Sequence, residues 1–515
     1  MKKIVGSVVT LAALVLGSYY GTGLVTERTL KKNMDRINQS SGLSVEMTSY
    51  HRGLFTSKAQ LTWQLQTPER LIKTPDGKST VEPSKTITID MPIAIYHGPV
   101  IIAADGVHFG LGYASSQLTL PEDYKAKFAE YFSSESIIPT LDLNLSVSYL
   151  NETHVHVNMP AFRLISKQDK SQFEWLGMTS DHSISPTMSH VDGSLTVNGI
   201  RFTKDDRIAV LDKVKLAYDL NQSLAGLYLG KGNIDVPSLV VTQEGHPRFE
   251  VIAFQATSSS DVVDALFGSS FQASFDKVLF HDKTYGPGQL VLSIKNLDAA
   301  VLADLNERAN QMQQGTEAER QQAMLTLLPE LPKLLGQGAM IELSELHVVM
   351  PDGAVDGSLR VTLPKGDAGN PFQLIQKIEG ESKVKVPATL LKNLLVHSEK
   401  QRLVLQSTPP EQQASTQQDT PVQAAAPTPV APPVAAPAAM PLQPQEPSQA
   451  IVVSAPVSAP DLDQLAVVEA DKKIAALLKA GALVEDGGDY VVDVKLTAGR
   501  FSVNGHPFNS GMLQF

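Results

Sequence analysis

The chain contains no cysteine. That excludes a disulfide framework, thiolate zinc, iron–sulfur clusters, a cysteine nucleophile and a lipidated-cysteine anchor. A cysteine-free body also suits an oxidising envelope compartment, where it avoids mispairing. Aromatic residues are few, 6% of the chain, and charged residues make up 19% with a net charge of −11. No dense Lys/Arg field lies beyond Arg28–Arg36, so nucleic acid is not expected as a partner. The common reaction signatures are missing as well. There is no Gly-x-Ser-x-Gly elbow, no phosphate-cradling glycine loop and no His-Glu-x-x-His pair.

What is present begins with a hydrophobic run. After Lys2 and Lys3, residues 4–26 carry no charge, and Glu27 and Arg28 close the stretch. As a helix it would reach roughly 34 Å, enough for a ~30 Å hydrocarbon core. Residues 1–28 are therefore expected to form a transmembrane anchor that meets the inner membrane through residues 4–26. A cleaved signal peptide is the competing reading. Arg28, Lys31, Lys32 and Arg36 follow the run, so charge counting alone does not orient it. The very short amino tail resembles a signal anchor that exports the body.

Residues 37–405 read as a β-rich body. Leu141, Leu143, Leu145, Val147 and Tyr149 alternate with polar residues, and His154–Met159 repeats that period. Asn198-Gly199, between Val197 and Ile200, is a hairpin signal. A helical stripe of Leu302, Leu305, Ala309 and Met312 precedes a second helix expected from Thr316, giving a helical hairpin. Residues 406–460 hold thirteen prolines and no glycine, and read as a disordered, semi-rigid spacer. Residues 461–515 suggest one helix and a hairpin, too little to fold alone and so expected to dock on the body. The expected fold class is β-rich α+β: an N-terminal transmembrane helix, then extended antiparallel sheets, a helical hairpin and a C-terminal helix–hairpin piece.

Two short sequences stand out. Tyr50-His-Arg52-Gly53-Leu-Phe55-Thr-Ser57 enters a strand, and His97-Gly98-Pro99 follows one. With Pro387 after a strand and the ending Gly499-Arg-Phe-Ser-Val-Asn504-Gly505, they resemble the YdgA/YihF family of bacterial envelope proteins. The proline-rich segment departs from that pattern. The resemblance implies a single-pass inner-membrane protein facing the periplasm, with no established activity. Gly53 and Gly98 suit tight backbone positions, and Arg52 could hold a turn, so these residues read as structural.

His154 and His156 share a strand face at a spacing that can ligate zinc, yet no third ligand is placed, and an outer polar face explains them. No metal, cofactor or catalytic residue is nominated. The leading functional expectation is a non-enzymatic binding or interaction protein of the envelope that handles lipid or another amphiphile. The alternatives are a hydrolase of envelope polymers using a carboxylate pair, and a structural partner of envelope proteins in an assembly complex.

Overall fold

The computed structural model describes residues 18–28, 30–32, 34–35, 38, 43–66, 70–73, 79–82, 84–312, 328–366, 376–407 and 459–508. One antiparallel sheet dominates. It starts with β1 (Leu43–Arg52) and β2 (Thr56–Gln66), while β3 (Arg70–Lys73) and β4 (Ser79–Glu82) form a separate ribbon. β5 (Thr86–His97) pairs with β2; β6 (Val100–Ala103) and β7 (Gly106–Phe109) form a second ribbon; β8 (Gly112–Thr119) pairs with β5. Helix α1 (Glu122–Tyr131) leads into a long meander.

The meander comprises β9 (Thr140–Val147), β10 (Thr153–Met159), β11 (Phe162–Ile165), β12 (Gln172–Trp175), β13 (Met178–Ile184), β14 (His190–Val197) and β15 (Ile200–Lys204). It continues through β16 (Arg207–Leu211), β17 (Val214–Gln222), β18 (Tyr228–Gln243), β19 (His246–Val263), β20 (Leu266–Phe275), β21 (Lys277–Phe280), β22 (Lys283–Tyr285) and β23 (Gly288–Asp298). Helix α2 (Ala299–Met312) is capped by Asp298, whose Oδ1 accepts from the Ala300 and Val301 N–H groups at 3.0 Å. The short helix α3 (Leu331–Leu335) precedes β24 (Met340–Met350), β25 (Gly353–Thr362) and β26 (Glu379–Pro387). Helices α4 (Ala388–Ser407) and α5 (Ala459–Lys479) run antiparallel, joined by Lys392–Asp471 and Lys400–Asp463 ion pairs. β28 (Asp489–Thr497) then pairs with β26 on one side, and with β27 (Val484–Asp486) and β29 (Arg500–Val503) on the other. The start of the second helix expected from Thr316, residues 316–327, and nearly all of the proline-rich spacer lie outside the described residues, while the end of that helix is a 3-10 turn (Leu328–Glu330) followed by α3.

The expected transmembrane helix is corrected. Among the described residues no helix is long and apolar enough to cross a membrane. Residues 18–28 of the expected span are helical, but they lean on the sheet. Thr22 and Thr26 hydroxyls return to carbonyls one turn back, at Ser18 and Thr22, and the Tyr19 hydroxyl donates to the Val100 carbonyl at 2.6 Å. The threonine bonds stay within the helix, and the bond that ties the stretch to the sheet is the one from Tyr19 to Val100. Residues 4–17 lie outside the described residues.

Asn198-Gly199 is also not a hairpin. β14 pairs with β13 and β17, and β15 pairs with β12 and β16, so the two residues bend one long arm. The Asn198 N–H donates to the Gly177 carbonyl and the Leu176 N–H to the Gly199 carbonyl, which carries the ladder across the bend. Matching breaks at Asp212, at Pro237 opposite Ala253, at Asp276 and at Gly286-Pro287 continue this crease across the sheet.

Register places the apolar residues on one face. A single cross-strand row runs Leu143, Val157, Ser180, Leu195, Leu216, Ile234, Ala256, Ala273, Leu290, Leu346, Gly357, Val384, Val492. The opposite face carries Asp142, Asn144, His154, His156, Asp181, Asp192 and Asp219. One-sided burial, the usual consequence of such alternation, is not what the chain shows. From β9 to β28 both faces are mostly half-exposed. The largest buried cluster among the described residues, Val45, Ala59, Leu61, Met91, Ile93 and Ile95 with Met34, forms where the N-terminal helical residues cover the first strands, and a smaller one, Leu227, Leu229 and Ala299, forms where α2 covers the sheet. A sheet face becomes a core only where a second layer covers it.

Candidate binding face and its N-terminal cover

Eight of the twelve singled-out residues meet at the end of the sheet where the N-terminal helix docks. The β1–β2 turn is closed by the Gly53 N–H donating to the Thr56 carbonyl at 2.9 Å, and a Cβ on Gly53 would strike that carbonyl. Arg52 and Lys31 both pair with Glu27 on the helix. Lys31 first, then Arg52, hold the Glu27 carboxyl below its ordinary range. Phe55 meets the Tyr19 ring edge-on, with centroids 4.9 Å apart. Tyr50 packs against the buried cluster, and its hydroxyl is buried without a partner.

Ser57 and His97 are the most deeply buried polar side chains among the described residues. Ser57 Oγ lies 3.1 Å from His97 Nε2. The His97 N–H donates to the Phe55 carbonyl at 3.1 Å, tying β5 to the β1–β2 turn. Burial pushes the His97 imidazole below its ordinary value of 6.5, an effect the Tyr19 backbone opposes. A Cβ on Gly23 would come within 2.8 Å of the His97 ring. Gly98 has φ +128°, and a Cβ there would fall inside the Tyr19 ring. The Pro99 carbonyl accepts from the Tyr149 hydroxyl. Gly98 admits the Tyr19 ring and Gly23 on the helix admits the His97 ring, so these motif residues form a cradle for helix 18–28.

The other four residues belong to a second place. Pro387 ends β26, and its ring would meet a Cβ on Gly353. Gly499 turns β28 into β29 with φ +73°. Asn504 (φ +48°) accepts from the Asp493 N–H and donates to the Gly481 carbonyl at 2.9 Å, which ties the final turn to the end of α5; Gly505 follows with φ +79°. None of these offers a reactive group.

On the polar face, His156 Nδ1 sits 2.6 Å from Asp181, and His154 faces Ser183 at 3.1 Å. These histidines border a cleft of about 650 Å³ that also includes Asp105, Tyr113, Asp192 and Asp219. Burial, then Asp105, pushes the Tyr113 phenol up. Among the described residues no group of three His, Asp or Glu side chains is arranged to hold a metal ion.

The family described as "Bacterial protein of unknown function (DUF945)" matches residues 1–510. The chain belongs to this family. No curated protein and no solved structure matches it. The family span includes both motif clusters, whose geometry is that of internal supports. Reading the sequence alone missed the partners of the cradle, namely Tyr19, Gly23 and Glu27. The Glu27–Lys31 spacing was the available signal that the helix continues past the apolar run.

Proposed function

We propose that this member of the family is a non-catalytic binding protein of the bacterial envelope, holding the acyl part of an amphiphile on the apolar sheet face between β9 and β28. The observation that carries this reading is the row from Leu143 to Val492. It is continuous and apolar over most of its length, and from Leu195 onward only Ala256 in it is buried. At about 4.8 Å per strand the row extends several tens of ångströms, longer than one acyl chain. A continuous half-exposed apolar surface on this scale supports a binding site.

The chemistry of the face favours a chain-like apolar occupant over a folded partner. Its side chains are mostly aliphatic, with few of the Trp, Tyr and Arg anchors that carry protein interfaces. Where polar groups do occur they satisfy one another: His182 Nδ1 is 2.8 Å from the Tyr218 hydroxyl, and Ser180 is bonded to His182. A hydrolase needs two inward carboxylates. The one buried carboxylate among the described residues, Glu399, is ion-paired by Lys473 and Arg402 between α4 and α5. The resemblance to the YdgA/YihF proteins and the absence of cysteine support action on the periplasmic side.

Native mass spectrometry of protein isolated without delipidation is expected to show a stoichiometric amphiphile that solvent extraction removes. Preparations repeatedly free of lipid would refute the reading.

A further inference from the structure

The turns at the two ends of the meander differ in chemistry. At the far end, beyond the crease, the arms reverse at Lys167-Gln168-Asp169-Lys170, Asp205-Asp206, Glu244-Gly245 and His281-Asp282. Every one of these is charged. At the near end, where β1, β5, β9, β13, β17 and β19 finish, Glu152 and Asp264 carry charge in the β9–β10 and β19–β20 turns, but the tips also present large apolar side chains. Leu54 and Phe55 lie between β1 and β2, and Tyr149 and Leu150 between β9 and β10. Met188 follows β13, Leu224 follows β17, and Val263 ends β19. Leu150 is 83% exposed and Leu224 fully so. The β6–β7 ribbon leaves from the same end, and it turns Val100, Ile102, Val107 and Phe109 outward while Ile101 is buried beneath.

Single exposed apolar residues are ordinary, but a whole edge of them opposite a charged edge is not. The helix enters at this edge, where Tyr19 meets Phe55 and Val100, with Tyr20 exposed beside it. The chain preceding Ser18, residues 4–17, carries no charge. Apolar tips with interleaved tyrosines and phenylalanines match the composition of a bilayer's headgroup–acyl boundary, where an aromatic body and a polar tip are both satisfied.

We propose that the near-end turns form a membrane-docking edge, with Phe55, Phe109, Leu150 and Leu224 entering the interfacial layer of a lipid bilayer and the charged turns pointing away. This stands on the turn residues and is independent of what the apolar sheet face holds. It makes the body an upright sheet with one edge in lipid.

The chain's lack of cysteine allows a direct test. Single variants L150C and L224C, and far-end controls D205C and E244C, are made in the full chain and labelled with an environment-sensitive fluorophore. All four positions are at exposed turns, and far-ultraviolet circular dichroism of each variant checks that the fold is kept. Vesicles of phosphatidylethanolamine and phosphatidylglycerol are then added. The expected result is a blue shift and several-fold rise in emission at 150 and 224, quenched by lipid-borne nitroxide, with no change at 205 and 244. Unchanged emission at 150 and 224 would overturn the proposal, whether or not the protein associates with vesicles. So would a rise that needs no vesicles and grows with protein concentration, since the edge would then be a contact between two copies.

Discussion

Ser57 and His97, from neighbouring strands β2 and β5, share a hydrogen bond of 3.1 Å in a place from which water is excluded. The imidazole lies between that serine and the backbone of helix 18–28, so it couples the sheet to its N-terminal cover. Replacing Ser57 with alanine leaves the ring nitrogen without its partner. A loss of about 1–3 kcal/mol is expected in urea unfolding of the full chain. An unchanged midpoint would show that the pair is idle.

Gly98 and Gly106 both have positive φ, +128° and +141°, yet only Gly98 faces a ring. Gly98→Ala should therefore cost roughly 2–4 kcal/mol, from backbone strain plus collision with Tyr19. Gly106→Ala, with open space around it, should cost about 1–2 kcal/mol. Faster tryptic cleavage after Arg28 in the Gly98 variant alone would report release of the helix.

The cover should loosen in mild acid. The folded-state pKa of His97 lies below its ordinary 6.5, so the undocked state binds the proton more readily. Stability is full above about 6.5 and falls as the pH drops toward the folded value. Glu27 adds a second loss at lower pH, because its depressed pKa contributes stability only above about 4.5. Protection factors of residues 18–28, corrected for the intrinsic pH dependence of amide exchange, should fall between pH 7 and 5 in the natural chain. In His97→Gln that pH dependence should vanish.

Glu399 is buried between α4 and α5, paired to Lys473 and, at 2.7 Å, to Arg402. Lys473 first, with Arg402, holds its carboxyl below the usual range. Lys473→Ala leaves that carboxylate with Arg402 alone and should cost about 1–3 kcal/mol, whereas the double change with Glu399→Leu should recover most of the loss. Additive costs in thermal unfolding would contradict this.

The strand periodicity was legible because alternation such as Leu141–Tyr149 is a local property, and the register then follows from the apolar rows. The bend at Asn198-Gly199 was not, because the same residues serve a hairpin and a kink, and only the partner strands tell them apart. The helix at 18–28 was misread because hydropathy averages over a stripe. Tyr19 and Glu27 sit at the ends of an apolar stretch, and the contacts that tie them to the sheet, Val100 and Arg52, lie far along the chain. The motif residues stood out in the sequence, but that eight of them meet in one place depends on Tyr19 meeting Gly98. Nothing in the alternation distinguishes a covered sheet face from an open one. That difference rests on where the second layer ends.

The central claim is that the apolar row of the sheet is a binding surface for acyl chains. Photoactivatable fatty acid, bound to the native protein and mapped by peptide sequencing, tests it most directly. Adducts should fall on Leu145, Leu216, Leu290 and Leu346, along strands β9 to β24. Adducts confined to the polar-face residues Asn144, Asp192 and Asp219, or scattered without preference, would contradict it.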